Sequence, residues 1–263
     1  MQNKKLVNDI KLFVLDMDGT FYLGNRIYEG SLDFLNKVKE TGREFIFFTN
    51  NSSKAPEDYI DKLKKMDCYI ERKDILTSGD VTIEYLKSYY NGASVYLVGT
   101  KELEKSFTEA GIPLTEAKPD IVVVGFDMTI TYEKLERACT YIRNGAKFIA
   151  THMDINCPTE EGFIPDCGAI CAAIELSTGV KPEFMGKPTD KTVAMITKLT
   201  NYQANEIAFV GDRLYTDVAT GVNNGSTGIL VLTGETKLED LDKSEIKPNF
   251  IFNSIKDIGD CLG

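Results

Sequence analysis

The sequence has no apolar run approaching the ~20 residues that a membrane-spanning helix requires. Its opening stretch, MQNKKLVNDIK, carries lysines but no apolar segment ahead of a cleavage site, so neither a span nor a secretory leader is expected. A basic excess is also missing: 30 lysines and arginines stand against 40 aspartates and glutamates, a net charge of −10. A broad nucleic-acid footprint needs a basic face, so no nucleic-acid partner is expected. An anionic substrate would have to be drawn by local cations or a metal, because the overall field repels it. No G-x-G-x-x-G follows the first apolar run, which argues against a dinucleotide-binding enzyme. Six cysteines in 263 residues without a leader read as reduced thiols, and the cytoplasm as the compartment. There is a single histidine, His152, in a segment with Cys157, Cys167 and Cys171. Those spacings match no familiar zinc finger, and Cys167 and Cys171 open an apolar helical stretch where cysteine packs as a small hydrophobe.

What is present is a regular alternation of short β-rich runs with amphipathic stretches. The strand candidates are 12–16, 44–50, 94–99, 120–126, 147–152, 206–212, 227–232 and 250–252. Between them, 31–42 places Leu32, Leu35 and Val38 on one helical face with Gly42 as a stop, and 131–145 aligns Leu135, Ala138, Cys139 and Ile142. Apolar runs without alternation imply strands buried on both faces, as parallel sheets require. The expectation is an α/β protein with parallel sheets.

Residues 12–22, LFVLDMDGTFY, end an apolar run abruptly in Asp16, Asp18, Gly19 and Thr20. Two carboxylates one residue apart repel each other and need compensation by a cation, a shared proton, or both. Three more polar stretches follow at the ends of strands or the start of the next element: FFTNNSS (47–53), GKP (186–188) and GDRLYTD (211–217). In open α/β sheets ligands sit outside the carboxyl ends of strands, so these stretches can converge on one crevice. Together they supply the carboxylates of Asp16, Asp18, Asp212 and Asp217, the cation of Lys187, the hydroxyl of Thr49 and backbone N–H groups around Asn50. Phosphoryl transfer needs such a set: a nucleophile, a divalent cation, donors for the phosphate oxygens and a proton shuttle.

These four motifs, in this order, resemble those of the haloacid dehalogenase superfamily of aspartate-nucleophile phosphatases, and the SLDFL, TNNSS and ILVLTGET segments are similar to its NagD-like (4-nitrophenyl phosphatase-like) branch. The resemblance implies a Rossmann-like, doubly wound parallel-sheet core with an inserted smaller α/β cap. From Asp16 to Thr49 there is room for one loop and one helix, whereas the stretch from Thr49 to Lys187 can hold a separate domain. The expected division is 1–90 plus 184–263 for the core and 91–183 for the cap, with crossings near Tyr90–Ala93 and Lys181–Met185.

Carried onto matching residues, the resemblance makes Asp16 the nucleophile and Asp18 the general acid and base. Mg²⁺ would be held by the Asp16 and Asp212 side chains and the Asp18 carbonyl, and Asp217 would support the site from behind. Thr49, Asn50 and Lys187 would bind the phosphate. Cap residues Asp154, Asn156, Asp166, Cys167, Gly168 and Ala169 would read the leaving group. The implied activity is hydrolysis of small phosphomonoesters (sugar phosphates, nucleoside monophosphates, 4-nitrophenyl phosphate), with a phosphotransferase or mutase, or a catalytically weak binding protein, as alternatives. The implied partner is a small phosphorylated metabolite, with a homodimer through the cap and no membrane.

Overall fold

The computed structural model describes residues 9–159 and 161–262; residues 1–8, on which the leader reading largely rests, lie outside them. The chain forms two compact units. The first comprises Met1–Thr49, Pro56–Leu76 and Lys187–Gly263, and the second Asn50–Ala55 and Thr77–Gly186.

The first unit is built on a six-stranded sheet in the order Phe250–Phe252, Thr227–Val231, Ile207–Gly211, Leu12–Leu15, Glu44–Thr49, Ile75–Thr77. The first five of these run parallel. Leu12–Leu15 is central and buried throughout, which is why it reads as an unbroken apolar run. Its register pairs Leu15 with Val210 on one side and Phe47 on the other, so Asp16, Gly211 and Phe48 emerge together at the carboxyl edge. A core of Phe13, Leu15, Phe34, Phe47, Val210, Ile229 and Ile258, among others, seals the sheet. The helix Ser31–Glu40 packs through Phe34, Leu35 and Val38. Leu32, expected on that face, is instead 36% exposed, because Phe34 fills the position against Phe13 (ring centroids 5.5 Å apart).

The second unit has a four-stranded sheet in the order Glu183–Phe184, Lys147–Ala150, Ile121–Val124, Val95–Val98, with parallel pairing throughout. It also has an antiparallel hairpin, Asn156–Thr159 with Gly162–Pro165, which the strand candidates did not include. Helices Tyr132–Arg143 and Cys167–Thr178 supply Ala138, Cys139, Ile142, Cys167, Ile170, Cys171 and Ile174 to a core of its own.

The units divide at Leu76–Thr77 and Gly186–Lys187, not at 90–91 and 183–184 as the sequence suggested, and residues 50–55 join the second unit. The helix Ser78–Tyr89 explains the shift. Thr77 caps it reciprocally with Asp80. The Ser78 hydroxyl donates to the Asn50 carbonyl (2.5 Å) and the Tyr85 hydroxyl to Glu183 (2.8 Å), both in the second unit. All six cysteines are free, and no helix of the described residues is long and apolar enough to cross a membrane.

Candidate active site

At the carboxyl edge of the first unit's sheet, Lys187 is buried with its ammonium 2.7 Å from Asp16 Oδ1 and 2.6 Å from Asp217 Oδ1. It also donates to the Phe48 carbonyl (3.2 Å), one residue before Thr49. Asp16 caps the end of the central strand, and Asp212 follows its neighbour Ile207–Gly211. Asp217 is returned to the same spot by a wide π-turn over Leu214–Val218. Ligand oxygens of Asp16, Asp212 and Asp217 lie within 4.8 Å of one another. Asp18, two residues on, has its side chain exposed and outside this trio.

The loop after Asp16 is shaped by Asp212. Gly19 adopts φ +80°, and a Cβ there would sit 2.6 Å from Asp212 Oδ2, so glycine is required on both counts. Thr20, fully buried, donates its hydroxyl to Asp212 Oδ1 (3.3 Å), and the Glu235 N–H donates to Asp212 Oδ2 (2.7 Å).

The electrostatics are lopsided. Burial pushes the Asp16 carboxyl up to about 8; Lys187 works against this, and Asp217 and Asp212 reinforce it. Asp212 is raised too, by burial and by Asp217, with the Glu235 N–H opposing. Burial acts to discharge Lys187, but Asp16 and Asp217 overcome it and hold the ammonium above its ordinary value. Three carboxylates thus share one buried ammonium, with Arg213 a quarter exposed beside them. A hard divalent cation fits that donor set: all oxygen, close together and in excess negative charge.

A second constellation lies wholly in the second unit. His152, Asp154 and Asp166 also present ligand atoms within 4.8 Å. Here the groups satisfy each other. His152 is fully buried, with Nε2 2.8 Å from Asp166 Oδ1 and Nδ1 3.0 Å from the Thr151 hydroxyl and 3.4 Å from that of Ser78. Ser78 spends its proton on the Asn50 carbonyl, so toward Nδ1 its oxygen can only accept. Asp166 Oδ1, which also accepts the Cys167 N–H (2.6 Å), faces Nε2 as an acceptor. The Thr151 hydroxyl, nearer to Nδ1, can donate or accept, so the charge on the ring is set by its surroundings. Burial alone would discharge the ring, but Cys167, Asp166 and Asp154 outweigh it and push its pKa up to about 9. Asp154 accepts from the Asn50 amide (3.1 Å), and its carbonyl accepts the Gly168 N–H (2.8 Å), which ties residues 152–155 to the start of the helix Cys167–Thr178.

The structure therefore gathers Asp16, Lys187, Asp212 and Asp217 in the first unit, with Asp18 adjacent in sequence and Thr49 ending the next strand. Asn50 belongs to the second unit with Asp154, Asp166, Cys167, Gly168 and Ala169; Asn156 begins the hairpin and is exposed. Sequence reasoning missed Thr20, Glu235 and the His152–Asp166 pair. Thr20 was within reach, as part of the first motif. The other two depend on a backbone amide and on a buried partner 14 residues away, which no spacing announces.

Comparisons with known proteins identify the family. Residues 13–113 match the family of haloacid dehalogenase-like hydrolases, and residues 184–258 match a HAD-hydrolase-like family. An acid sugar phosphatase of Staphylococcus aureus is 36% identical over 248 residues, covering 94% of this chain and 96% of that protein. The 4-nitrophenylphosphatase of Thermotoga maritima superposes with a TM-score of 0.94 at 46% identity, covering 98% of this chain and 99% of the other. A putative nagD protein gives a TM-score of 0.90 at 44% identity over 96% and 98% of the two chains. With two matching families, near full-length relatives and a shared fold, the chain belongs to the haloacid dehalogenase-like hydrolases, in their NagD-like, 4-nitrophenyl phosphatase-like branch.

Proposed function

We propose that this chain is a magnesium-dependent phosphatase that hydrolyses small phosphomonoesters through an aspartyl-phosphate on Asp16. The observation that carries the reading is the buried Lys187 bridging Asp16 and Asp217 beside Asp212, at the carboxyl edge of a parallel sheet. Lys187 fixes the Asp16 carboxylate through Oδ1 and leaves Oδ2 unencumbered by it.

In the first step Asp16 attacks phosphorus, the bond from phosphorus to the ester oxygen breaks, and the leaving alkoxide takes a proton from Asp18. A water then attacks the phosphorus of the acyl phosphate and gives its proton to Asp18. The bond to Asp16 breaks, releasing inorganic phosphate and restoring both carboxyls. Lys187 and Thr49, with the Asn50 backbone, hold the phosphoryl oxygens. Mg²⁺ held by Asp16, Asp212 and the Asp18 carbonyl would offset charge on those oxygens.

Sugar phosphates, nucleoside monophosphates and 4-nitrophenyl phosphate are the proposed substrates, in keeping with the names of the relatives above. Asp154, Asn156 and Asp166–Ala169 would select among leaving groups. Six free thiols support a cytoplasmic setting. The test is phosphate release across a panel of phosphomonoesters, with Mg²⁺ or EDTA. Free phosphate equal to alcohol released, silence in EDTA and recovery with Mg²⁺ are expected. Indifference to both reagents would remove the metal, and alcohol released without phosphate would point to transfer rather than hydrolysis.

A further inference from the structure

We propose that the segment Thr233–Thr236, one residue beyond the strand Thr227–Val231, is a clasp that sets Asp212 for metal binding, with Glu235 and Thr233 as positioning residues. The proposal rests on the metal reading above and adds to it which residues hold the ligand in place.

The segment touches both halves of the candidate metal site. On one side the Thr233 hydroxyl donates to the Gly19 carbonyl (2.6 Å), inside the loop that follows Asp16. On the other the Glu235 N–H donates to Asp212 Oδ2 (2.7 Å), and the Thr236 N–H donates to the Asp212 carbonyl (3.2 Å). Gly234, between them, lies so close that a Cβ would overlap Asp212 Oδ2. The Tyr28 hydroxyl braces the segment from outside by donating to the Thr233 carbonyl (3.0 Å).

The Glu235 side chain does not reach Asp212. Its carboxylate lies between Tyr215, whose hydroxyl donates to Oε1 (2.9 Å), and Arg213, whose Nε forms an ion pair with Oε2 at 3.1 Å without the geometry of a hydrogen bond. Arg213 precedes the turn Leu214–Val218 and Tyr215 lies within it, between Asp212 and Asp217, so the contacts close a ring: Asp212, Arg213 and Tyr215, Glu235 side chain, Glu235 amide, Asp212 again. A carboxylate ligand pinned through one oxygen by a fixed donor keeps a single rotation, and a metal need not order it on binding. The pair is half exposed, so its effect is modest (Glu235 50%, Arg213 26%).

The experiment is calorimetric titration of the metal-free protein with Mg²⁺ alone, for wild type, Glu235→Ala, the Glu235→Ala/Tyr215→Phe double variant, Thr233→Val and Thr233→Ser, with the Tm of each recorded without Mg²⁺. Partners bonded directly to a ligand are worth about 10–100-fold in affinity, so one step removed, about 3–10-fold weaker Mg²⁺ binding is expected for Glu235→Ala and Thr233→Val. Thr233→Ser, which keeps the hydroxyl, should bind as wild type. Adding Tyr215→Phe to Glu235→Ala should weaken binding no further. Wild-type affinity in Glu235→Ala and Thr233→Val, with only a lower Tm, would overturn the clasp and leave the metal reading standing. A wild-type protein that binds no Mg²⁺ would overturn both.

Discussion

Two clusters in this molecule draw on the same kinds of side chain and do different things with them. Asp16, Asp212 and Asp217 surround one buried ammonium; His152, Asp154 and Asp166 surround one imidazole. In the second, both ring nitrogens have partners and each aspartate accepts at least one hydrogen bond. The imidazolium spans Asp166, Thr151 and Ser78, and Asp154 takes the Asn50 amide. In the first, carboxylates outnumber the close cation, and burial pushes the Asp16 carboxyl up rather than down. Nearness of metal-capable atoms therefore does not distinguish a reactive centre from a structural knot. What the groups are tied to does: Lys187 bridges two carboxylates at a sheet edge, whereas His152 joins Asp166 at the start of a helix. The all-oxygen set of the first cluster fits a hard divalent cation, and the second ties residues 152–155 to the helix Cys167–Thr178.

The sharpest break of that comparison is catalytic. Asp16→Asn should lower turnover of 4-nitrophenyl phosphate by at least ~10³-fold, read by nitrophenol release, while its fold stays intact by circular dichroism.

Next come the buried pairs, worth about 3–5 kcal/mol when one partner is removed. Both Lys187→Met and Asp166→Ala should lose stability of that order in urea unfolding without metal. Only the first should recover with added Mg²⁺, because only there does a cation replace what was lost. Equal recovery in both would erase the distinction between the clusters.

A third test uses pH. The folded pKa of His152, about 9, lies above its ordinary value near 6.5. Its stabilising contribution is therefore fully present below about 6.5 and lost as pH rises through about 9, up to roughly 3 kcal/mol in all. Cys167 contributes with the opposite sign in that window: burial would raise its thiol, but Cys171 and His152 bring it down to about 7. In saturating Mg²⁺ the slopes of Tm against pH should therefore differ between wild type and His152→Asn. Parallel curves would mean that the imidazolium contributes nothing.

The smallest effect expected is at the surface. Arg137 pairs with Glu116 (2.7 Å) and Glu133 (2.6 Å) but is 41% exposed, so Arg137→Ala should leave the Tm in thermal unfolding close to that of wild type.

The fold was legible where burial on both faces left its mark. The eight apolar runs are strands, and short runs such as LFVL and IVVV suit strands buried on both faces of a parallel sheet. The hairpin at 156–165 escaped notice because Pro158, Pro165 and mostly exposed residues erase the alternation that marks a strand. The boundary near 90 was misplaced because the apolar face of Ser78–Tyr89 shows that the helix packs, not which sheet it packs on; Ser78–Asn50 and Tyr85–Glu183 decide that. In the candidate site, Asp16, Lys187, Asp212 and Asp217 were legible because strand ends converge in a parallel sheet. Glu235 was not, since its contact with Asp212 is a main-chain N–H that any residue could supply.

The central claim, that Asp16 carries the phosphoryl group, is tested most directly by acid-quenching a single turnover of a phosphorus-labelled ester in Mg²⁺ and locating the label by peptide mass spectrometry. The account predicts an acid-stable, base-labile phosphate on Asp16 that forms and decays at the rate of turnover and is absent from Asp16→Asn. Turnover with no covalent label at any time, or with the label on another residue, would contradict it.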